Sequence, residues 1–224
     1  MLWKYKSTCN NKRLKTSNNT DDDDEDSNEV SNIKLPFLFQ KNSNNYINTN
    51  FNHIYFNNDI TSDSVFELCK ELRNVETKIK TLSVTLNIET QPIYLHITTN
   101  GGCIYSAFSV IDCIKTLSVP LYTVVDGFVA SAGTLISLSG EKRYMCKNAY
   151  MLIHELRGGV WGKMSEIDEE YTNSKKLMEH IKKIYADNTK IKKKELDGLL
   201  KKDLIWDVEE CIEKGLINEI YKPS

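Results

Sequence analysis

The hydrophobic positions divide the chain into a polar first part and an alternating second part. From about residue 51, short apolar runs alternate with longer stretches in which apolar residues recur every three or four positions. The short runs predict buried strands, and the periodic stretches predict amphipathic helices. Repeated strand–helix–strand units favour parallel strands with right-handed crossovers, so the pattern predicts an α/β domain.

The predicted elements cover the whole second part of the chain. Strands are predicted at residues 53–56, 92–98, 120–125, 143–145, 150–154 and 216–221. Helices are predicted at residues 65–75, 104–117, 130–138, 163–187, 193–201 and 208–214. The 163–187 helix is the longest of them, and its apolar positions are Ile167, Tyr171, Met178, Ile181 and Tyr185.

Residues 1–45 differ in composition from the rest of the chain. They are rich in Asn, Ser, Lys and Asp, and they contain an acidic block from Asp21 to Asp26. Such a segment buries too little apolar surface to offset its chain entropy, so we expect a disordered tail. The basic first twenty residues leave an organelle transit peptide as the alternative. One folded domain is therefore predicted over residues 46–224.

Composition narrows the class of protein only slightly. Lys plus Arg total 29 and Asp plus Glu total 31, which gives no support for a nucleic-acid partner. No apolar run approaches the roughly 20 residues that span a bilayer, and the start lacks the apolar core of a secretory signal. The six cysteines form no C-x-x-C pair and no cluster with histidine, which favours reduced thiols. We therefore expect an intracellular protein.

The four histidines make the search for a general base short. His53 lies at a domain edge and His180 on the long helix, where a solvated side chain is the default. His96 is in the middle of a strand, which is typical of a satisfied core histidine. His154 ends an apolar strand and precedes a glycine turn, which is where α/β sheets present side chains to a ligand. His154 is therefore the candidate base.

A serine with small neighbours follows the 120–125 strand. Ser131 lies at the start of a helix within the segment Gly127-Phe-Val-Ala-Ser-Ala-Gly133. Upstream, Gly101 and Gly102 separate a strand from a helix. An oxyanion hole needs N–H donors from two places, and Gly102 and Ala132 are candidates for them. Tight helix–strand packing would also explain the small residues around Ser131, and an ordinary turn would also explain Gly101 and Gly102. The catalytic and the purely structural interpretations both stay open.

A catalytic histidine also needs an acid that orients its imidazole ring. Two candidates, Asp203 and Asp207, lie late in the chain. Asp207 directly precedes the 208–214 helix and has Glu210 three residues further on, which is the pattern of a capping box. Asp203 has no such local role, so it is the better candidate for the acid.

Taken in chain order, these segments resemble the ClpP peptidase family from about residue 53 to residue 221. The matching pieces are Asn100-Gly-Gly102, Gly127-Phe-Val-Ala-Ser-Ala-Gly133, Met151-Leu-Ile-His154, Gly158-Gly159, Asp203 and Glu210-Cys211 followed by Gly215-Leu-Ile217. The resemblance implies a ClpP/crotonase-like fold of repeated β-β-α units with a long handle helix. It also implies Ser131 as nucleophile, His154 as general base and Asp203 as orienting acid, with oxyanion amides from Gly102 and Ala132.

The same resemblance implies an assembly and a partner. ClpP-like chains form heptameric rings, typically stacked as a double ring, with the long helix as the contact between rings. A separate AAA+ unfoldase ATPase feeds unfolded proteins into the chamber, so ATP is used by the partner and no cofactor is expected in this chain. The implied function is a serine endopeptidase of the cytoplasm, with the mitochondrial or plastid matrix as the alternative compartment.

Two other functions stay open at this point. A non-catalytic, ClpR-type ring subunit shares the fold but usually lacks one or more of the three catalytic residues. An acyl-CoA enzyme of the related crotonase fold shares the paired oxyanion donors and needs no Ser-His-Asp set. The chain departs from the family pattern at Thr98-Thr-Asn, where proline is missing, and at Glu155, which puts a negative charge beside the base. No departure falls on a triad position.

Overall fold

A computed structural model of the chain describes residues 47–222, and the predicted tail lies outside the described residues. The strands are β1 (Ile47–Asn50), β2 (His53–Asn57), β3 (Ile93–Thr99), β4 (Leu121–Ala130), β5 (Lys142–Met145), β6 (Tyr150–Ile153), β7 (Leu204–Trp206) and β8 (Glu219–Ile220). The helices are α1 (Ser62–Leu86), α2 (Ile104–Lys115), α3 (Ala132–Ser137), α4 (Met164–Asn188), α5 (Lys193–Leu200) and α6 (Val208–Lys214).

The strands form one mixed sheet with a parallel centre. Its main path has the order β1-β2-β3-β4-β5-β8, and β6 and β7 lie off this path. Strand β1 is antiparallel to β2, and β7 is antiparallel to β6. The pairs β2–β3, β3–β4, β4–β5, β4–β6 and β5–β8 are parallel. The predicted α/β domain with parallel strands is confirmed.

The sheet branches along β4, which is longer than predicted. The sequence pattern ended this strand at Val125, before Gly127, but the strand continues to Ala130. The first half of β4 pairs with β5, whereas its second half, Phe128–Ala130, pairs with β6. The glycine therefore marks a change of partner rather than the end of the strand. Because of this branch, Ser131 follows β4 directly beside β6.

The two faces of the sheet carry different side chains. On β3, Ile93, Leu95 and Ile97 belong to the buried core, which also contains apolar residues of α1 and α2. Tyr94 and His96 lie on the opposite face, because successive side chains of a strand alternate. The helices thus cover one face, and the other face is aromatic and polar.

Helix α1 extends well beyond the predicted range of 65–75. Thr61 caps its start, where the Thr61 hydroxyl accepts from the Ser64 N–H at 3.1 Å. The buried stripe ends at Ile79, and the helix then continues through mostly exposed residues to Leu86, after which Asn87 adopts a left-handed conformation with φ 50°. Apolar spacing alone missed the last turns, because they bury little and contain no helix breaker.

Helix α4 matches the predicted range of 163–187 within one residue at each end. Of its apolar stripe only Ile181 and Tyr185 are buried, whereas Tyr171 remains 61% exposed. The second half of α4 therefore packs on the domain, and the first half is mostly solvent-exposed. Among residues 47–222, no helix combines the length and hydrophobicity needed to cross a membrane.

Candidate active site

Ser131 lies at the junction between β4 and α3. It has φ 55° and ψ −125°, a combination that is costly for any residue other than glycine. Its N–H donates to the Leu152 carbonyl of β6 at 2.9 Å, which holds the junction against the neighbouring strand. Tight packing is present as well, since a Cβ on Gly133 would meet Thr99 Cγ2 at 2.3 Å. The small residues thus serve helix–strand packing and hold a strained serine in place.

The glycine pair upstream lies directly against this serine. Gly101 has φ 98° and Gly102 has φ 144°, conformations that other residues rarely adopt. A Cβ on Gly101 would come within 2.7 Å of Ser131 Cβ, and a Cβ on Gly102 would come within 2.3 Å of the Ile60 carbonyl oxygen. Gly101 therefore brings the backbone close to the candidate nucleophile, and Gly102 packs against Ile60, which is more than an ordinary turn requires.

Two backbone N–H groups beside Ser131 remain available. Ile60 bridges the glycine pair by donating to Gly101 and accepting from Cys103, both at 2.8 Å, and this bridge leaves the Gly102 N–H unused. Ala132 is the first residue of α3, where N–H groups have no partner within the helix. Within residues 47–222, neither N–H appears among the hydrogen bonds made outside helices and strands.

His154 and Asp203 become neighbours through strand pairing. Strands β6 and β7 are antiparallel, and Ile153 lies opposite Leu204. Continuing that register by one residue sets His154 opposite Asp203. Strand β6 also lies beside the end of β4, so Ser131, His154 and Asp203 occupy the ends of three adjacent strands. The sequence predicted the apolar stretch after Asp203 but did not identify it as a strand.

The imidazole and the carboxylate do not yet share a hydrogen bond. His154 Nδ1 lies 4.0 Å from Asp203 Oδ1, which is too long for one. This nitrogen is buried and has no hydrogen-bond partner among the described residues. The other carboxylate oxygen, Asp203 Oδ2, is paired with the Arg157 guanidinium. The side chain of His154 is only 12% exposed, whereas that of Asp203 is 53% exposed.

Burial lowers the pKa of His154 below its ordinary value, and the positive charge of Arg157 lowers it further. Asp203 and Glu155 act in the opposite direction. The expected influence of Glu155 on the base is therefore present but is outweighed. A neutral imidazole is the form that accepts a proton from a serine hydroxyl, so these surroundings favour a general base.

The side chains of Ser131, His154 and Asp203 are not joined by hydrogen bonds in this structure. Within residues 47–222, no hydrogen bond links Ser131 to His154, and the Asp203 carboxylate is held by Arg157 instead. Arg157 was not singled out from the sequence. In the sequence, Arg157 is simply a cation three residues after a candidate base. Many solvated turns have the same pattern.

Asp207 has the capping role predicted for it. Its Oδ1 accepts from the Glu210 N–H at 2.9 Å, and Glu210 Oε2 accepts from the Asp207 N–H at 3.1 Å. Both halves of the capping box at the start of α6 are therefore formed. Asp207 is thus committed to the helix, which leaves Asp203 as the acid beside His154.

A second polar group lies away from the serine, on the aromatic face of the sheet. His96 Nδ1 lies 2.9 Å from Asp126 Oδ1, and His96 Nε2 lies 2.9 Å from His53 Nδ1. His96 is a satisfied buried histidine, as predicted, whereas His53 is half-buried and bonded rather than solvated. The sequence contains no local pattern that joins these three residues, because they come from three different strands.

A cleft also lies on this face. It has a volume of about 500 Å³, and aromatic side chains form much of its wall. Its lining includes His53, Tyr94, Tyr144, Tyr221 and Lys222. The candidate catalytic residues do not line this cleft, so the cleft and the Ser-His-Asp group lie in different places. The Ser-His-Asp group combines a nucleophile with a base, so it is the candidate active site.

Comparison with known proteins shows the family to which the chain is similar. The family model described as Clp protease matches residues 49–224. The ATP-dependent Clp protease proteolytic subunit 2 of Treponema denticola is 32% identical over 158 residues, which cover 70% of this chain and 78% of that protein. The ATP-dependent Clp protease proteolytic subunit of Streptococcus mutans is 33% identical over 140 residues, which cover 59% of this chain and 70% of that protein.

A solved structure shows the same fold. A ClpP1 mutant from Listeria monocytogenes superposes with a TM-score of 0.67 at 24% sequence identity, and the match covers 77% of this chain and 92% of that one. At this identity the likeness establishes the fold, and the family model supplies the membership. The chain therefore belongs to the Clp protease family.

Proposed function

We propose that this chain is a serine endopeptidase. The observation that carries the proposal is the convergence of Ser131, His154 and Asp203 at the ends of three adjacent strands. His154 takes the proton of the Ser131 hydroxyl as the oxygen attacks the scissile carbonyl. The N–H groups of Gly102 and Ala132 stabilise the oxyanion that forms. His154 then protonates the leaving amine, and water releases the acyl group by the same steps in reverse.

Asp203 has to change partner for this chemistry. In the catalytic state its carboxylate turns from Arg157 and accepts a hydrogen bond from His154 Nδ1–H, which fixes the tautomer of the ring. The buried, unpartnered Nδ1 atom supports this step, because an unmatched buried polar atom is costly. The 4.0 Å separation is short enough for side-chain rotation to close.

The proposal extends to a ring assembly with a partner ATPase. We infer heptameric rings stacked as a double ring, with α4 between them, and an AAA+ unfoldase that delivers unfolded proteins. The exposed apolar residues before and along the first half of α4 support an interface there, since contiguous exposed apolar surface marks contact sites. They are Val160, Trp161, Met164 and Tyr171. Trp161 is 100% exposed in the single subunit.

Active-site labelling together with native mass measurement tests this function. An alkyl fluorophosphonate is expected to label Ser131 and to stop peptide cleavage. Ser131→Ala should abolish both signals, whereas the matched control Ser139→Ala should keep them, because Ser139 Oγ only donates to the Ile136 carbonyl. A correctly folded ring that neither reacts with the probe nor cleaves peptides would exclude the proposal.

A non-catalytic ring subunit is the second candidate, and one observation favours it. The Asp203 carboxylate is engaged by Arg157, and His154 Nδ1 has no hydrogen-bond partner among the described residues. If this arrangement persists in the assembly, the chain remains unlabelled alone and in rings formed with an active peptidase. Labelling of Ser131 in either state selects the peptidase.

A further inference from the structure

Two cysteines lie side by side where α1 packs against α2, away from the candidate active site. Cys113 Sγ lies 4.0 Å from the backbone carbonyl of Cys69. Both residues are partly exposed, and both are free thiols. The residues come from the middle of one helix and the end of the next, separated by 44 positions in the sequence. Only the packing of the two helices brings them together.

A positive charge lies next to this pair. Arg73 follows Cys69 by one helical turn, and its Nη1 donates to the Thr116 carbonyl just beyond α2 at 3.1 Å. The same guanidinium is paired with Glu76 at 3.1 Å. Arg73 therefore reaches from α1 to the end of α2, beside Cys113. A partly exposed thiol next to a cation is the setting in which protein cysteines react.

The two thiols differ in acidity because of this setting. The side-chain hydrogen bond from the Cys69 thiol lowers the pKa of Cys113 to about 7, and the charge of Arg73 adds to the effect. The same contact, together with burial, raises the pKa of Cys69. At neutral pH a large fraction of Cys113 is therefore thiolate, whereas Cys69 stays protonated beside it.

We propose that Cys69 and Cys113 form a reversible disulfide when the protein meets hydrogen peroxide. The Cys113 thiolate attacks the O–O bond, takes one oxygen as a sulfenic acid and releases hydroxide. The Cys69 sulfur then attacks the sulfenic sulfur, the S–S bond forms, and the oxygen leaves as water with the proton of Cys69. The two sulfurs together lose two electrons, and the peroxide is reduced to water. A dithiol reductant reverses the bond by exchange.

The bond ties together the two helices that flank the glycine pair. The segment between Cys69 and Cys113 contains all of β3 and the turn at Gly101 and Gly102. Oxidation therefore closes a covalent loop around the segment that lies against Ser131. The inference concerns thiol chemistry and does not depend on peptidase activity.

Cys146 provides an internal control in the same chain. Its thiol donates to Asp126 Oδ1 at 3.5 Å, and burial together with that carboxylate raises its pKa to about 11. It is therefore expected to remain a thiol at neutral pH under conditions that oxidise Cys113.

Peptide mass mapping of the native, full-length chain tests the proposal. After brief treatment of the folded protein with hydrogen peroxide, the protein is unfolded in denaturant, free thiols are blocked with iodoacetamide and the protein is digested. A joined peptide pair containing Cys69 and Cys113, lighter by two hydrogen atoms than the sum of the two, is expected. Dithiothreitol should separate it, and Cys146 should be fully alkylated throughout.

Variants separate the two roles within the pair. Cys69→Ser should leave a Cys113 sulfenic acid that dimedone traps, and Cys113→Ser should give neither product. In the unmodified protein, Cys113 should be alkylated at neutral pH at least about tenfold faster than Cys146. Arg73→Gln should slow that reaction, and Arg73→Lys should largely preserve it. Absence of the joined peptide from the folded protein, or equal alkylation of Cys113 and Cys146, overturns the proposal.

Discussion

The nucleophile side and the acid–base side of the candidate site are built in different ways. Around Ser131, the position of the side chain follows from backbone: a strained residue, a strand junction and a glycine pair that approaches to van der Waals contact. Around His154, the position follows from strand register, but the final contact depends on the half-exposed side chain of Asp203 and on Arg157.

In a single subunit the fold fixes the position of Ser131, whereas the pairing of the Asp203 carboxylate can still change. Buried backbone contacts have few alternatives, so the nucleophile side is fixed by the fold. An exposed ion pair contributes little free energy, so a carboxylate held by one can change partner at low cost. We therefore expect catalytic competence to be decided on the acid–base side, where α4 and its exposed apolar residues begin.

The largest effect is expected from changing the acid itself. Asp203→Asn should lower kcat/KM for a peptide by about 10⁴, because an amide no longer selects the productive tautomer of His154. Asp207→Asn is the matched control and should leave activity unchanged, since asparagine caps a helix as well as aspartate does. Steady-state kinetics decide the matter: a loss of less than about tenfold for Asp203→Asn would remove Asp203 from the proposed triad.

A smaller but still large effect is expected on the nucleophile side. Gly101→Ala places a Cβ at 2.7 Å from Ser131 Cβ in a residue with φ 98°. The displacement should lower kcat/KM by about 10² and the free energy of unfolding by about 1–3 kcal/mol. Gly198→Ala, inside α5 at a site where a Cβ meets nothing within 4 Å, should leave kcat/KM unchanged and should not lower the free energy of unfolding, because alanine favours a helix more than glycine does. Equal behaviour of the two variants in kinetics and urea unfolding contradicts a close approach at Gly101.

A change in pH dependence is expected when the competing cation is removed. Arg157 lowers the pKa of His154, so Arg157→Gln should raise that pKa. Since the base must be unprotonated to act, the acidic limb of the kcat/KM profile should move to higher pH. Arg157→Lys keeps the charge and should leave the limb in place. A shift of the limb to lower pH in Arg157→Gln contradicts the assigned electrostatics.

The smallest effect is expected at the helix cap. Asp207→Ala removes the bond to the Glu210 N–H and should lower the free energy of unfolding by about 1 kcal/mol. Because Asp207 belongs to the helix start, kcat/KM should remain within about twofold of the unmodified protein. Thermal unfolding and a peptide assay on the same sample measure both quantities. Loss of activity without loss of stability assigns Asp207, and not only Asp203, to the chemistry.

The sequence was sufficient for features that local patterns encode. The alternation of apolar runs predicted the parallel α/β domain, and the Asp207–Glu210 spacing predicted a capping box that is formed. The order of the glycine, serine and histidine segments predicted the family that the comparisons confirm. Assignment of catalytic roles to Ser131, His154 and Asp203 stays a prediction.

Features that depend on pairing between distant segments were missed or only partly predicted. Strand β7 has just three residues, one of them exposed, and is a strand because β6 pairs with it. The ion pair between Arg157 and Asp203 spans 46 positions, and no local pattern encodes it. The extension of β4 past Gly127 depends on a second partner strand. In each case the contact that determines the structure joins residues that are far apart in the sequence, so no local pattern predicts it.

The antiparallel register of β6 and β7 has a consequence for how such chains can vary in evolution. A one-residue insertion between Asp203 and Leu204 would turn the carboxylate to the other side of the strand, because the side-chain period is two residues. The exposed turn that contains Gly158 and Gly159, where added side chains meet nothing within 4 Å, sits outside this register. We therefore expect insertions to be tolerated in that turn and to disrupt the site at the start of β7.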